Sequence, residues 1–120
     1  MLRLDPDFDE AIPLLWTAFG PRSLALGGRV FDAVVLHTFF SDETLARCVA
    51  AVKRAAEEAG RDPASVRVWS CFATVGDHLD PALRLIMTVG RPATYLQGYG
   101  DLLVTTNRWA PAVLARFRAD

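Results

Sequence analysis

Three apolar runs of strand length, residues 12–18 (IPLLWTA), 33–40 (AVVLHTFF) and 66–75 (VRVWSCFATV), are separated by stretches that carry helix signals. The first run has no polar alternation, which suits a strand buried on both faces, and that is the chemistry of a parallel sheet. Parallel neighbours need crossover connections, and the intervening segments have helical length and helical punctuation. The order β-α-β-α-β therefore predicts an α/β chain with about three parallel strands wrapped by helices.

The second crossover helix is the clearest element. Ser41 is a good N-cap, and Asp42 and Glu43 stand in the electropositive first turn. Leu45, Cys48, Val49, Val52 and Ala56 recur at helical spacing until Gly60 supplies the stop. Glu43 and Arg47 stand in the favourable i, i+4 order. The first crossover, RSLALGGRV, is shorter, and its small residues would let a helix lie close on a sheet. From Asp80 onward the chain reads as a helical tail over about 80–120, broken at Gly90, Pro92 and Pro111, with no fourth strand. No repeat or low-complexity linker divides residues 1–120, so one domain is expected, with strand-helix repeats over about 12–76.

Composition narrows the function classes. The chain has 120 residues, 52% of them hydrophobic, and a formal charge of −1 with no basic or acidic block. That gives no electrostatic support for a nucleic-acid surface or a polybasic membrane patch, and no apolar run approaches the roughly 20 residues of a membrane span. Small-molecule or protein partners remain; the acidic, proline-interrupted amino terminus is unlike a signal peptide, so a cytoplasmic protein is expected. Cys48 and Cys71 lie far apart without metal-ligand spacing; both are read as buried thiols, and no metal site is expected.

The corner between the first strand and its helix carries the most chemistry. A strand ending in Ala18, Phe19 and Gly20, with Pro21 at the first helical position, points free N–H groups at the carboxyl edge of the sheet. Glycine lets an anion approach the backbone, and Arg22 and Ser23 are adjacent side-chain donors. The alternative is that Gly20 and Pro21 only close a tight turn. His37, followed by Thr38, either donates a hydrogen bond at the same edge or serves as a structural histidine. Asp32 reads as a cap or a partner for Arg29, Asp77 and His78 as loop residues that point apart, and Tyr95, Tyr99 and Trp109 as helix packing or a subunit contact. No paired carboxylates, nucleophile elbow or metal cluster is visible, so the catalytic residues stay unassigned.

Residues 12–76 resemble the later part of the bacterial luciferase-like monooxygenase superfamily, above all its deazaflavin-dependent branch. Pro13, Ala18, Gly20, Pro21, Gly28, Asp32, Gly60, Arg61, Asp62 and Pro63 follow that family's pattern in order. The resemblance implies a partial TIM-like (β/α)8 barrel that binds FMN or the deazaflavin coenzyme F420. It also implies an oxidoreductase that moves hydride between the cofactor and a small organic substrate. By position, Ala18, Phe19 and Gly20 would cradle phosphate, with Arg22, Ser23, His37 and Thr38 as further cofactor contacts. Three positions depart from the pattern: Phe19 where a small residue is common, Phe31 where alanine is common, and Ala33 where glycine follows the aspartate.

A complete barrel of this kind needs about 250 residues. The reading is therefore a carboxyl-terminal segment with little turnover by itself, completed by the missing amino-terminal half of the barrel or by a homo-oligomer. The alternative is a noncatalytic α/β module that self-associates or binds a protein partner.

Overall fold

The computed structural model describes residues 11–119 and sets the three apolar runs side by side; the rest of the acidic amino terminus and Asp120 lie outside the described residues. Strands β1 (Leu15–Thr17), β2 (Ala33–Leu36) and β3 (Arg67–Ser70) form one sheet in the order β1-β2-β3. Both pairings are parallel, with Leu15, Ala33 and Arg67 in one row and Thr17, Val35 and Trp69 in another. Helices α1 (Pro21–Val30) and α2 (Asp42–Glu58) make the crossovers. Helices α3 (Pro81–Leu85), α4 (Arg91–Asn107) and α5 (Pro111–Ala119) form the tail.

The ordered strands are shorter than the apolar runs that announce them. In the second run the Phe39 amide donates to the His37 Nδ1 at 3.1 Å, a local turn that takes residues 37–40 out of the ladder. The Ala18 amide still donates to the Val35 carbonyl at 3.0 Å, one residue past the end of β1 and two before the Gly20 corner.

Two glycines let α1 seat itself. A methyl at Gly27 would run into Val34 and Trp16 of the sheet; one at Gly28 would run into the Val52 carbonyl of α2 and stand 3.0 Å from the Ala55 Cβ. The backbone of α1 thus lies directly on Val34 and Trp16 of the sheet and on the backbone of α2 at Val52 and Ala56. Their shared core includes Leu24, Val34, Leu36, Val52, Ala56 and Val66, all buried.

The segment Gly60-Arg61-Asp62-Pro63 has a distinct task for each residue. Gly60 takes φ +73°, the left-handed conformation that closes a helix and that glycine adopts without strain. The Arg61 guanidinium reaches back to the carboxyl end of α1 and donates to the carbonyls of Gly28 at 2.7 Å and Phe31 at 3.0 Å. Asp62 accepts the Ala64 amide at 2.9 Å, and Pro63 opens a single 3-10 turn into β3. Lys53 of α2 fixes the same joint by donating to the carbonyls of Pro63 and Val66, both at 2.7 Å.

Ser41 caps α2 as its sequence predicts, accepting the Thr44 amide. The expected Glu43–Arg47 pair does not form. Arg47 instead donates to Thr44 Oγ1 at 2.9 Å and to the Thr106 carbonyl at 2.8 Å, because α4 offers a fixed acceptor where solvent would surround the carboxylate. Glu43 is held below its ordinary carboxylate range chiefly by backbone and Ser41 hydrogen bonds, with Arg47 the smallest contributor.

The tail corrects a second expectation. Gly90 and Pro92 do not break the chain into separate helices: α3 runs through a π turn at Ile86–Gly90 directly into α4. Pro92 falls in the first turn of α4, where its missing N–H is tolerated. Pro111 does open a new helix, and α5 packs its Leu114 against Gly100 of α4.

All the crossover helices lie on one face of the sheet. The other face is open: Leu15 is 57% and Trp69 53% exposed. In a closed barrel that face is the packed interior, and a radius of gyration of 18.4 Å, against about 14 Å for a compact chain of this length, agrees with an unclosed sheet. The fold is α/β with three parallel strands and a helical carboxyl-terminal part, the architecture of a partial barrel. No helix among the described residues is long and apolar enough to cross a membrane.

Candidate functional site

The carboxyl edge of the sheet begins at the Gly20 corner. Gly20 is the N-cap of α1 at φ −97°, ψ 169°, an extended conformation open to any residue. A Cβ built there meets nothing within 4 Å. Neither backbone strain nor packing therefore requires glycine at this position. No side chain caps α1, so the first amides of the helix face that open space, and Arg22 is exposed in the first turn. Uncapped amides, an adjacent guanidinium and an absent side chain make a cradle that fits a phosphate group.

Ser23 does not join the cradle with its side chain. Its hydroxyl accepts the Trp16 indole N–H at 2.9 Å, on the helix-covered side of the edge strand, and only its backbone amide stays at the corner. Ala18 is buried beneath the corner.

Phe19 turns the other way and joins an aromatic group around His37. The Phe19 and His37 rings lie 4.7 Å apart, Phe40 is 5.7 Å and Tyr95 is 5.3 Å from His37. Because the Phe39 amide donates to the His37 Nδ1, that nitrogen is unprotonated and the neutral ring carries its proton on Nε2. Burial pushes the imidazole below its ordinary value, which reinforces the neutral form. His37 therefore presents one oriented N–H donor at the ligand edge.

Beyond Tyr95 a cleft of about 710 Å³ opens between the ends of β2 and β3 and the α3–α4 segment. Thr38 and Phe39 form one wall, residues 71–75 a second, and the π turn with the first turn of α4 the third. Of the seven predicted cofactor contacts, Phe19 and His37 touch each other, Thr38 lines the cleft, and Gly20 and Arg22 hold the corner. Ala18 supports from beneath, and Ser23 turns to Trp16.

Of the other residues singled out in the sequence, some settle as read and some differently. Asp32 does not pair with Arg29; its carboxylate accepts the Leu14 amide at 2.7 Å, while Arg29 stands 4.0 Å from Glu58 at the outer ends of α1 and α2. Cys48 is buried, but Cys71 is exposed because β3 ends one residue earlier and its side chain falls on the cleft wall. Asp77 turns to Arg84 at 3.4 Å and His78 packs over Gly76, so this pair does point apart. Tyr95 and Tyr99 are neighbours at 6.3 Å, but Tyr95 belongs to the His37 group, as Phe39 lies 5.0 Å away.

Two contributors had no legible sequence signal. Asn107, buried at the end of α4, accepts the Ser41 amide at 2.8 Å and donates to the Phe39 carbonyl at 3.0 Å. It holds the loop that carries Thr38 and Phe39. Arg91 enters the cleft wall because the π turn, read from sequence as a glycine break, carries the helix on.

The model of the luciferase-like monooxygenase family matches residues 2–116, nearly the whole chain. The chain belongs to that family. Comparison with curated proteins finds no match. As a luciferase-like domain it is of the general flavin-type oxidoreductase class, and the family generally uses flavin or deazaflavin cofactors. In this luciferase-like chain the parallel sheet and its open face are those of a partial barrel, and the ligand edge is the carboxyl edge of its strands.

Proposed function

We propose that the chain forms the phosphate side of a flavin or deazaflavin site, FMN or coenzyme F420, in an enzyme that oxidises or reduces a small organic substrate. The observation that carries this reading is Gly20, a glycine that neither φ nor packing requires, standing before the uncapped amides of α1. When bound, the cofactor would supply the hydride chemistry.

The chain's own residues bind and orient. The amides of Arg22 and Ser23 and the Arg22 guanidinium would hold the phosphate; Ala18 and Phe19 set the strand end from which the corner turns. His37 offers its Nε2 proton and Thr38 its hydroxyl in the turn that follows the next strand. Phe19 and Tyr95 flank His37 and shield it from water. With one sheet face open, cofactor binding is expected without appreciable turnover by the 120-residue chain.

Fluorescence titration with FMN, riboflavin and F420 tests this. FMN should bind about tenfold tighter than riboflavin, the value of one charge-assisted phosphate contact, and Gly20→Val should abolish the difference without lowering the unfolding midpoint. Equal binding of FMN and riboflavin, with no binding of F420, would overturn the reading.

The exposed Leu15 and Trp69 favour a second reading, in which the chain self-associates through its open sheet face. Sedimentation with and without Trp69→Glu distinguishes it: an assembly that dissociates in the variant supports association through this face, and a wild-type monomer refutes it.

A further inference from the structure

We propose that the cleft beside Tyr95 binds an apolar small molecule carrying a single carboxylate, with Arg91 as the residue that selects the charge. That such a molecule is the substrate rests on the oxidoreductase reading; that it binds does not.

The cleft is built from mainly apolar surface, with Phe39, Phe72, Ile86 and Met87 among its walls. Thirteen residues line it, and Arg91 is the only charged one. Arg91 is exposed, and among the described residues its guanidinium makes no hydrogen bond or ion pair; Arg84 and Arg118 of the same helical tail are each paired with an aspartate, and of the unpaired arginines of the tail Arg91 is the one on the cleft wall. A guanidinium at an apolar wall pairs bidentately with a carboxylate or a phosphate, and the apolar surroundings favour the singly charged carboxylate, whose desolvation costs less than that of a doubly charged phosphate.

The backbone supports the same assignment. Arg91, Thr94 and Tyr95 share one face of α4 at i, i+3 and i+4, and all three line the cleft. The π turn at Ile86–Gly90 widens the helix just before them and brings Ile86, Met87 and Gly90 onto the same wall. Such turns are rare and occur frequently at functional sites. The Thr94 hydroxyl is spent on the Arg91 carbonyl at 2.8 Å, which steadies the turn that presents the arginine. The cleft is continuous with the cofactor edge through ring contacts, since Tyr95 lies 5.3 Å from His37 and His37 lies 4.7 Å from Phe19.

Cys71 supplies a reporter, because it is the exposed thiol of the two and lines this cleft. The probes are anthracene-9-carboxylate and its neutral counterpart 9-anthracenemethanol, both fluorescent, titrated into the 120-residue chain without flavin. The carboxylate is expected to bind about tenfold tighter than the alcohol, the scale of one partly exposed charge-assisted contact, and to slow alkylation of Cys71 by iodoacetamide. Arg91→Gln should remove the preference while leaving alcohol binding unchanged; Arg91→Lys should keep part of it, and Arg116→Gln, on α5 away from the cleft, all of it. Equal affinities in the wild type, a preference that survives Arg91→Gln, or binding that leaves Cys71 unprotected would each overturn the proposal. Loss of FMN binding alone would refute the cofactor reading and leave this one standing.

Discussion

The contact between α1 and α2 at Gly28 predicts that one added methyl group has opposite effects at two helical positions. In Gly28→Ala the new Cβ overlaps the Val52 carbonyl oxygen and stands 3.1 Å from the Ala56 amide nitrogen. Both are backbone atoms inside a 17-residue helix, so neither can rotate away. Overpacking of this kind costs about 1–3 kcal/mol. Alanine in a helix interior returns about 1 kcal/mol relative to glycine. With fixed backbone on both sides the upper end of the overpacking cost applies, so the expected net loss is about 2 kcal/mol, or a fall of about 6–10 °C in unfolding midpoint for a chain of this size. Gly98→Ala is the control: it is exposed in α4, one residue before the kink at Tyr99 (φ −124°, ψ 16°), with nothing within 4 Å of the new methyl, so no overlap opposes the propensity gain and the midpoint should rise, by up to about 5 °C. Thermal unfolding by circular dichroism measures both. A Gly28→Ala midpoint at or above that of the wild type would refute the close backbone approach of the two helices.

Asn107→Ala leaves the Ser41 amide and the Phe39 carbonyl without their partner and should cost about 2–3 kcal/mol; denaturant titration reads it, and a loss under 0.5 kcal/mol (about a twofold change in the folding constant) would count against the clamp. His37 has a folded value below its ordinary 6.5, so the unfolded chain binds more protons between the two values. This part of the stability is present above pH 6.5 and is lost as pH falls toward the depressed value; midpoints from pH 7 to pH 5 should therefore fall less in His37→Asn than in the wild type. Burial raises the Cys48 thiol, while Cys71 is exposed. Iodoacetamide at neutral pH should label Cys71 first, with Cys48 following only on unfolding, as peptide mass spectrometry would show; simultaneous labelling would refute the burial of Cys48.

Much of the crossover half was legible because its signals are local. Pro21 and Ser41 mark helix starts through backbone rules that act within a few residues, and Gly60 marks a stop by the same means. The apolar runs located the strands but overstated their length, since hydrophobicity continues through residues 37–40 after the His37 turn has left the ladder. The tail was less readable. Gly90 and Pro92 are breakers by propensity, yet one falls at the end of a π turn and the other in a first turn, positions defined only once the helix exists. Cys71 was misjudged because burial of a free thiol is a tendency of the residue, while its exposure follows from where β3 stops. Arg91 and Asn107 gave no signal, for their meaning lies in residues far away in the chain.

The Asn107 clamp also fixes an order of events during folding. Its two partners are separated from it by 66 and 68 positions, whereas the strand-to-helix corner at Gly20 forms from adjacent residues. Long-range closures are slow because chain entropy is lost before contacts repay it. On a ribosome, α1 and α2 emerge and can pair while Asn107 is still unsynthesised. The loop bearing Thr38 and Phe39 acquires its final shape only after the tail arrives, so the Gly20 corner precedes the cleft, and a nascent chain passes through a stage with one and not the other.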